Sequence, residues 1–386
     1  MPSGRHFLQI PGPTNVPERV LQSLSRSTID HRGSAFAAMT QGILERLKLV
    51  FRTEHPIIIY PSSATGAWEA ALVNTLSPGD RVLFCAGGHF AEKWIQVAEN
   101  LGLTVECMAG DWRDGVDTAA VEARLAEESG GSIAAVAIVH NETSTGVAND
   151  VAGVRRAIDR AGHDALFLVD TVSSLAALDY RHDEWGVDVT VCGSQKGLML
   201  PPGLSFNAVS PKALAAAQRA RLPKAYWDWS PILDFNKRGF FPYTPATNLL
   251  YGLDVAMEML LDEGLEQVFA RHTRLAEATR RAVQAWGLEI YCRDPARYSN
   301  SLTAVLMPEG HDADALLSII FERFNMSLGT GLGQVRGKLF RIGHLGDFND
   351  LMLAGSLCGV EMGLTLCHVP HQPGGVLSAL NYLAQE

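Results

Sequence analysis

Apolar residues recur along the first two thirds of this chain in short runs, separated by stretches of helical period, which is the pattern of alternating strands and helices. Ile57-Ile58-Ile59-Tyr60 predicts a strand, followed by a helix over 67–74, a strand over 81–85, a helix over 91–100, a strand over 133–139 and a helix over 151–161. Three more strands are expected over 165–169, 187–192 and 204–209. Near-continuous apolar strands of this kind belong to a mostly parallel sheet covered by helices on both faces. Right-handed crossovers then bring the carboxyl ends of the strands to one edge, where open α/β sheets bind their ligands.

Ahead of the first strand, Phe-Leu-Gln-Ile-Pro-Gly-Pro-Thr-Asn-Val-Pro over 7–17 cannot be helical and predicts an extended arm, with helices to follow over 18–24 and 36–51. Residues 223–247 are irregular and aromatic (Tyr226, Trp227, Trp229, Phe240, Phe241, Tyr243), and a connection that long is often functional. Two long helical patterns meet at Glu263-Gly264, and beyond them the texture changes to strands over 288–291, 302–307, 326–328 and 338–342 with helices over 313–324 and 350–366. The expected division is an arm over 1–20, a large domain over 21–262 and a small α+β domain over 263–386.

Composition narrows the class without naming the chemistry. The 386 residues are 47% apolar and 19% charged, as in globular proteins, and a net charge of −10 argues against non-specific nucleic-acid binding. No run of about 18 apolar residues suggests a membrane span, and the first residues lack the apolar core of a signal peptide, so a cytoplasmic protein is expected. The six cysteines form no C-x-x-C pair, and several sit in apolar runs as small core residues would.

The candidate chemistry gathers at the predicted strand ends. Lys196 follows the apolar run over 187–192 and precedes a Gly/Pro-rich turn, while Asp170 closes the run over 165–169. An amine and an acid at neighbouring strand ends share one sheet edge, and a desolvated lysine is a potential nucleophile. Ser62-Ser63-Ala64-Thr65-Gly66 opens a helix, where free N–H groups and the dipole favour an anion such as a phosphate, although an ordinary N-cap would use the same residues. Phe90 sits in a predicted loop over 86–90, and Arg341 ends a small-domain strand with the fork that suits a carboxylate. Gly329-Thr330-Gly331-Leu332-Gly333 lacks dinucleotide-motif spacing and predicts a flexible loop. His31, Arg32 and His89 receive no role. An amine, an acid, an anion cradle, a ring and an arginine together suggest a pyridoxal phosphate site.

Seven segments then carry a resemblance over nearly the whole chain: Pro11-Gly12-Pro13-Thr14-Asn15, Ser63-Ala64-Thr65-Gly66, His140 through Gly146, Val169-Asp170, Gly193-Ser194-Gln195-Lys196, Pro242-Tyr243-Thr244-Pro245 and Lys338 through His344. As a set they resemble the class V, fold type I aminotransferases, and among them the alanine/serine/aspartate–glyoxylate group. The resemblance implies that Lys196 is the Schiff-base lysine and Asp170 the partner of the pyridinium nitrogen. It implies that Phe90 stacks on the ring, where some relatives carry Trp, and that Thr143 bonds the ring hydroxyl. Ser63, Ala64, Thr65 and Gln195 would hold the phosphate, with Thr244 and Tyr243 reaching in from the partner subunit of a homodimer. Some relatives have a Tyr where this chain has Phe241. Arg341 would bind the substrate carboxylate. The activity implied is transfer of an amino group from a small L-amino acid to glyoxylate, with serine first and aspartate or alanine as alternatives. A cysteine desulfurase, which usually has His before the lysine and a Cys in the small-domain loop, fits poorly with Gln195 and a cysteine-free stretch over 327–337. A non-catalytic cofactor-binding protein would not need Lys196, Asp170 and Arg341 together.

Overall fold

Seven strands hydrogen-bond in the order Ile57–Tyr60, Ser205–Val209, Val189–Gly193, Leu166–Asp170, Ile133–Val139, Arg81–Ala86 and Thr104–Ala109 in the computed structural model, which describes residues 4–128 and 132–385. Only Ser205–Val209 runs against its neighbours, and every other adjacent pair is parallel. The other six strands therefore share a direction, and Tyr60, Ala86, Val139, Asp170 and Gly193 end on one edge. Asp170 lies level with Val139 on one side and Val191 on the other.

The two faces of the sheet explain why its strands read as unbroken apolar runs. Phe167 and Val169 point into a core with Phe36, Phe51 and Phe206, whereas Leu166 and Leu168 point the opposite way, toward Trp68, Phe84 and Trp94. Helices cover both faces, so a side chain on either side is removed from water, at roughly 1.5–3 kcal/mol for each large apolar group.

A second sheet holds the small domain, in the order Phe7–Gln9, Met326–Thr330, Leu339–Gly343 and Leu302–Leu306. Its first strand comes from the N-terminal segment, which pairs in parallel with Met326–Thr330, Phe7 opposite Met326 and Gln9 opposite Leu328. The arm thus begins inside the small domain and then crosses to the edge of the large sheet. Helix Leu265–Ala285 restarts directly after Gly264 and buries Leu275 and Val283 with Trp286, Phe340, Ile342 and Val360.

Several elements escape the sequence pattern. The edge strand Thr104–Ala109 mixes exposed and half-buried positions, with no fully buried one, and so lacks a continuous apolar run. Helices Thr118–Ala126, Pro211–Ala217 and Gly375–Leu383 are short. Trp229–Asn236 lies within the stretch expected to be irregular; Pro231 masks it in the sequence but is tolerated in a first turn, where Asp228 caps the helix. Conversely, the strand expected over 288–291 reduces to one bridge between Ile290 and Val305. No helix among the described residues is long and apolar enough to cross a membrane.

Candidate active site

A cavity of about 510 Å³ opens at the carboxyl edge of the large sheet and is walled from three directions. The sheet edge contributes Val139, Thr143, Asp170, Gln195 and Lys196; the arm contributes Pro11 and Gly12; the small domain contributes Gly329, Thr330 and Arg341.

The turn that carries Lys196 is fixed by its own polar groups. The Ser194 hydroxyl donates to the Pro201 carbonyl (2.7 Å) and accepts from the Leu204 N–H (3.2 Å), closing the loop on itself. Met199 sits in the left-handed region (φ +59°), a conformation that costs about 1 kcal/mol or more and persists only where the surroundings enforce it. The arm binds from the other side, Thr14 N–H donating to the Gln195 carbonyl (3.0 Å). Gly12, at φ +105°, has no room for a side chain, since a Cβ there would stand 2.7 Å from Lys196 Cγ. The lysine stem is thereby held straight into the cavity.

Lys196 is only 6% exposed and its amine donates to Thr143 Oγ1 (2.8 Å), 5.7 Å from the centroid of the Phe90 ring. Burial, reinforced by the positive charge of Arg341, pulls its pKa down to about 7. Near neutrality much of this amine is therefore unprotonated and nucleophilic.

Asp170 is buried and receives two fixed donors, the Trp68 indole N–H on Oδ2 (2.6 Å) and the Val172 N–H on Oδ1 (2.8 Å). Burial raises its pKa to about 6, against the opposing pull of those two bonds and of Lys196. The carboxylate is aimed into the cavity with unused acceptor capacity, ready for a cationic N–H.

Ser63 is the N-cap of helix Ala64–Thr75, yet its side chain makes no capping bond. Ser63, Ala64 and Thr65 line the cavity, so the first-turn N–H groups and the positive end of the helix dipole meet there. The Gln195 Oε1 atom is buried beside them without a hydrogen-bond partner, and a half-turn of that amide would present its N–H₂ instead. This is the donor set of an anion cradle.

Arg341 is held by carbonyls, its Nε donating to Thr330 (2.9 Å) and Nη1 to Thr143 (2.8 Å). Burial lowers its pKa to about 10, while Glu142 at longer range acts in the opposite sense. Its remaining N–H groups are free for a carboxylate. Phe90 stands in the first turn of helix His89–Asn100 rather than in a loop, because Glu142 and Ser144 accept its leading N–H groups and let the helix start earlier: His89 N–H reaches Ser144 Oγ (3.0 Å) and Ala91 N–H reaches Glu142 (3.3 Å).

The structure thus gathers Ser63, Ala64, Thr65, Phe90, Thr143, Asp170, Gln195, Lys196 and Arg341 around one cavity. Tyr243 and Thr244 of the same chain lie elsewhere. The Tyr243 hydroxyl donates to the Ile59 carbonyl (3.3 Å) and its ring stacks on Tyr226, while Thr244 lines a surface hollow with His31. Phe241 is buried against Phe36. Arg32 forms part of a turn closed by Asp30 (2.9 Å), and the His89 ring packs on Phe90. The glycine-rich segment expected to be a flexible loop is strand through Thr330, and only from Gly331 does it become a loop, where Gly331 packs on the Val335 carbonyl ahead of a 3-10 turn over Gly333–Val335. Trp68 lines the cavity and Ser173 bonds Thr143 from behind it, neither having been singled out, and Gly12, quoted only as part of a motif, packs on the Lys196 stem. Trp68 could have been found, since it falls four residues after Ala64 on the same helix face.

One amine, one buried acid, an anion cradle and one free guanidinium suit covalent capture of a carbonyl cofactor and proton movement at an amino acid's α-carbon. Among the described residues no cluster of His, Cys, Asp and Glu could hold a metal ion. Comparison with known proteins agrees with this geometry. The family model described as aminotransferase class-V matches residues 6–335. The chain is 46% identical to a serine–glyoxylate aminotransferase of Arabidopsis thaliana, over 98% of this chain and 96% of that one. It is also 46% identical to an L-aspartate–glyoxylate aminotransferase of Paracoccus denitrificans, over 97% and 96% respectively. The crystal structure of ureidoglycine–glyoxylate aminotransferase from Bacillus subtilis superposes with a TM-score of 0.92 at 25% identity, covering 100% of both chains.

Proposed function

We propose, because the chain belongs to the aminotransferase class-V family, that it uses pyridoxal phosphate to move the amino group of a small L-amino acid, serine foremost, to glyoxylate. The products would be glycine and a 2-oxo acid, hydroxypyruvate in the case of serine. Glyoxylate as acceptor rests on the three relatives above, whose names share it while their donors differ.

The observation that carries the choice of donor is the charge inventory of the cavity. Among the described residues, Lys196 and Arg341 are the only lysine or arginine side chains that line it, and Asp170 is the only acid. With the lysine committed to covalent chemistry, Arg341 serves one carboxylate. Aspartate would bring a second carboxylate with no further cation among the described lining residues to meet it, and burying it unpaired is costly. Aspartate is kept as the second reading because a relative of equal identity is named for it.

The residues fit the cofactor on the structure's own terms: the uncapped helix start and the orphaned Gln195 amide suit its phosphate, and Asp170 suits its ring nitrogen. When bound, pyridoxal phosphate supplies an aldehyde that holds an amine and a ring that accepts electrons. Ser63, Ala64, Thr65 and Gln195 would hold the phosphate, joined by Thr244 and Tyr243 of a second copy in a homodimer. Phe90 would stack on the ring and Thr143 would bond its hydroxyl. Arg341 would fix the donor's carboxylate, and Lys196 Nζ, about half neutral near pH 7, would take the proton from the donor's α-carbon and pass it to the cofactor's aldehyde carbon. We place this activity in the cytoplasm.

A donor panel with glyoxylate tests the reading. L-Serine is expected to give glycine and hydroxypyruvate at the highest kcat/KM. Absence of turnover with serine beside clear oxaloacetate formation from aspartate would transfer the assignment to the second reading.

A further inference from the structure

A short chain of hydroxyl groups runs away from Lys196 into the protein. The Lys196 amine donates to Thr143 Oγ1 (2.8 Å), the Thr143 hydroxyl to Ser173 Oγ (2.8 Å), and the Ser173 hydroxyl to the main-chain carbonyl of Asn141 (2.8 Å). The last partner decides the direction of all the others. A carbonyl only accepts, so the Ser173 proton is committed to Asn141, and the Ser173 oxygen is left to accept.

It accepts from two groups, the Thr143 hydroxyl and the Asn141 side-chain N–H₂ (3.0 Å). The orientation of that amide is fixed because the same N–H₂ also faces the Ser173 carbonyl (3.3 Å), which would repel an amide oxygen. Thr143 therefore has its single proton committed as well. What it shows to the cavity is an oxygen that can only accept.

We infer that Ser173 is a positioning residue for Lys196: by taking the Thr143 proton it makes Thr143 an acceptor-only rest for the free amine. The arrangement parks the amine by one of its N–H groups and leaves its lone pair unengaged by Thr143. A free hydroxyl in the same place would turn and donate to that lone pair, quenching the base.

The small domain grips the two residues that carry this chain. Arg341 Nη1 donates to the Thr143 carbonyl (2.8 Å), and the Ser301 hydroxyl donates to the Ser173 carbonyl. Ser173 and Ser301 are almost fully buried, at 1% and 0% exposure, and Thr143 at 6% opens only to the cavity. No bulk water competes for these protons. The residue that receives a donor's carboxylate is thus bonded to the backbone of the residue that holds the amine.

The inference concerns the amine and rests on Lys196 being the reactive group, not on the identity of the donor. Its test is the pH dependence of trinitrobenzenesulfonate labelling at Lys196 in the cofactor-free full-length chain, read by mass spectrometry of the Lys196 peptide. In Ser173→Ala the Thr143 proton is released to the amine lone pair, which favours the neutral amine. The midpoint is expected to fall by about half to one pH unit, a roughly three- to tenfold change in the ratio of neutral to protonated amine. In a Thr143→Val background the same serine substitution is expected to shift nothing further, because its effect passes only through Thr143. Ser173→Cys, which preserves the volume and weakens the acceptor, carries the same expectation of a lowered midpoint if the alanine variant does not fold. An unchanged midpoint in a folded Ser173 variant, or a shift that persists in the Thr143→Val background, overturns the inference. A chain inactive with serine would still show the shift, so failure of the donor assignment reads differently.

Discussion

Lys196→Ala is expected to abolish measurable transamination between serine and glyoxylate, lowering kcat by about 10⁴-fold or more, since the proposed function puts both the covalent attachment and the proton transfer on one amine. Lys196→Arg should fare no better, because a guanidinium does not deprotonate in this range. The loss should not come from unfolding. The folded pKa of about 7 lies below the ordinary 10.5, so between those values the unfolded chain binds more protons than the folded one. The stability linked to this group therefore falls as the pH is lowered from 10.5 toward 7, and at neutral pH burying the amine costs free energy. The cofactor-free alanine variant should melt no lower than the parent, with scanning calorimetry as the check. Retention of more than a few per cent of kcat in the alanine variant would remove Lys196 from the chemistry.

Asp170→Asn is the second large effect. The carboxylate offers acceptors to Trp68 and Val172 and keeps negative charge facing the cavity. An amide keeps one acceptor but must turn its N–H₂ toward the Trp68 indole N–H or toward the Val172 N–H, and either choice sets two donors against each other. The charge that would keep a ring nitrogen protonated is also gone. We expect kcat/KM to fall by about 10²- to 10³-fold, the scale of losing a preorganised charge at a reacting centre. Steady-state kinetics with serine and glyoxylate provide the measurement, and a loss below fivefold would mean that Asp170 serves packing rather than chemistry.

The strand ends were legible because burial on both faces forces apolar runs, and a polar residue closing such a run stands out. That logic placed Asp170 and Lys196 on one edge, where the structure has them; Arg341, expected at a strand end, instead stands in the middle of Leu339–Gly343, paired with Ala304 on one side and Gly329 on the other. What the pattern could not show is direction and partnership. Phe90 reads as a loop residue because the groups that start its helix, Glu142 and Ser144, lie far along the chain. Trp68 looks like one more aromatic on an apolar helix face until Asp170 is seen beside its indole N–H. Ser173 is one of two adjacent serines, and only the commitment of its proton to Asn141 separates it from Ser174. The arm reads as extended, but its pairing with Met326–Thr330 joins segments from opposite ends of the sequence, which no local signal encodes.

The account stands or falls on which amine carries the cofactor. Borohydride reduction of the purified protein, followed by peptide mass mapping, fixes the attached group where it sits. The expected result is a pyridoxyl phosphate mass on Lys196 and on no other lysine. The same mass on a surface lysine such as Lys93 or Lys212 with Lys196 unmodified, or no modified lysine in an active preparation, would contradict it.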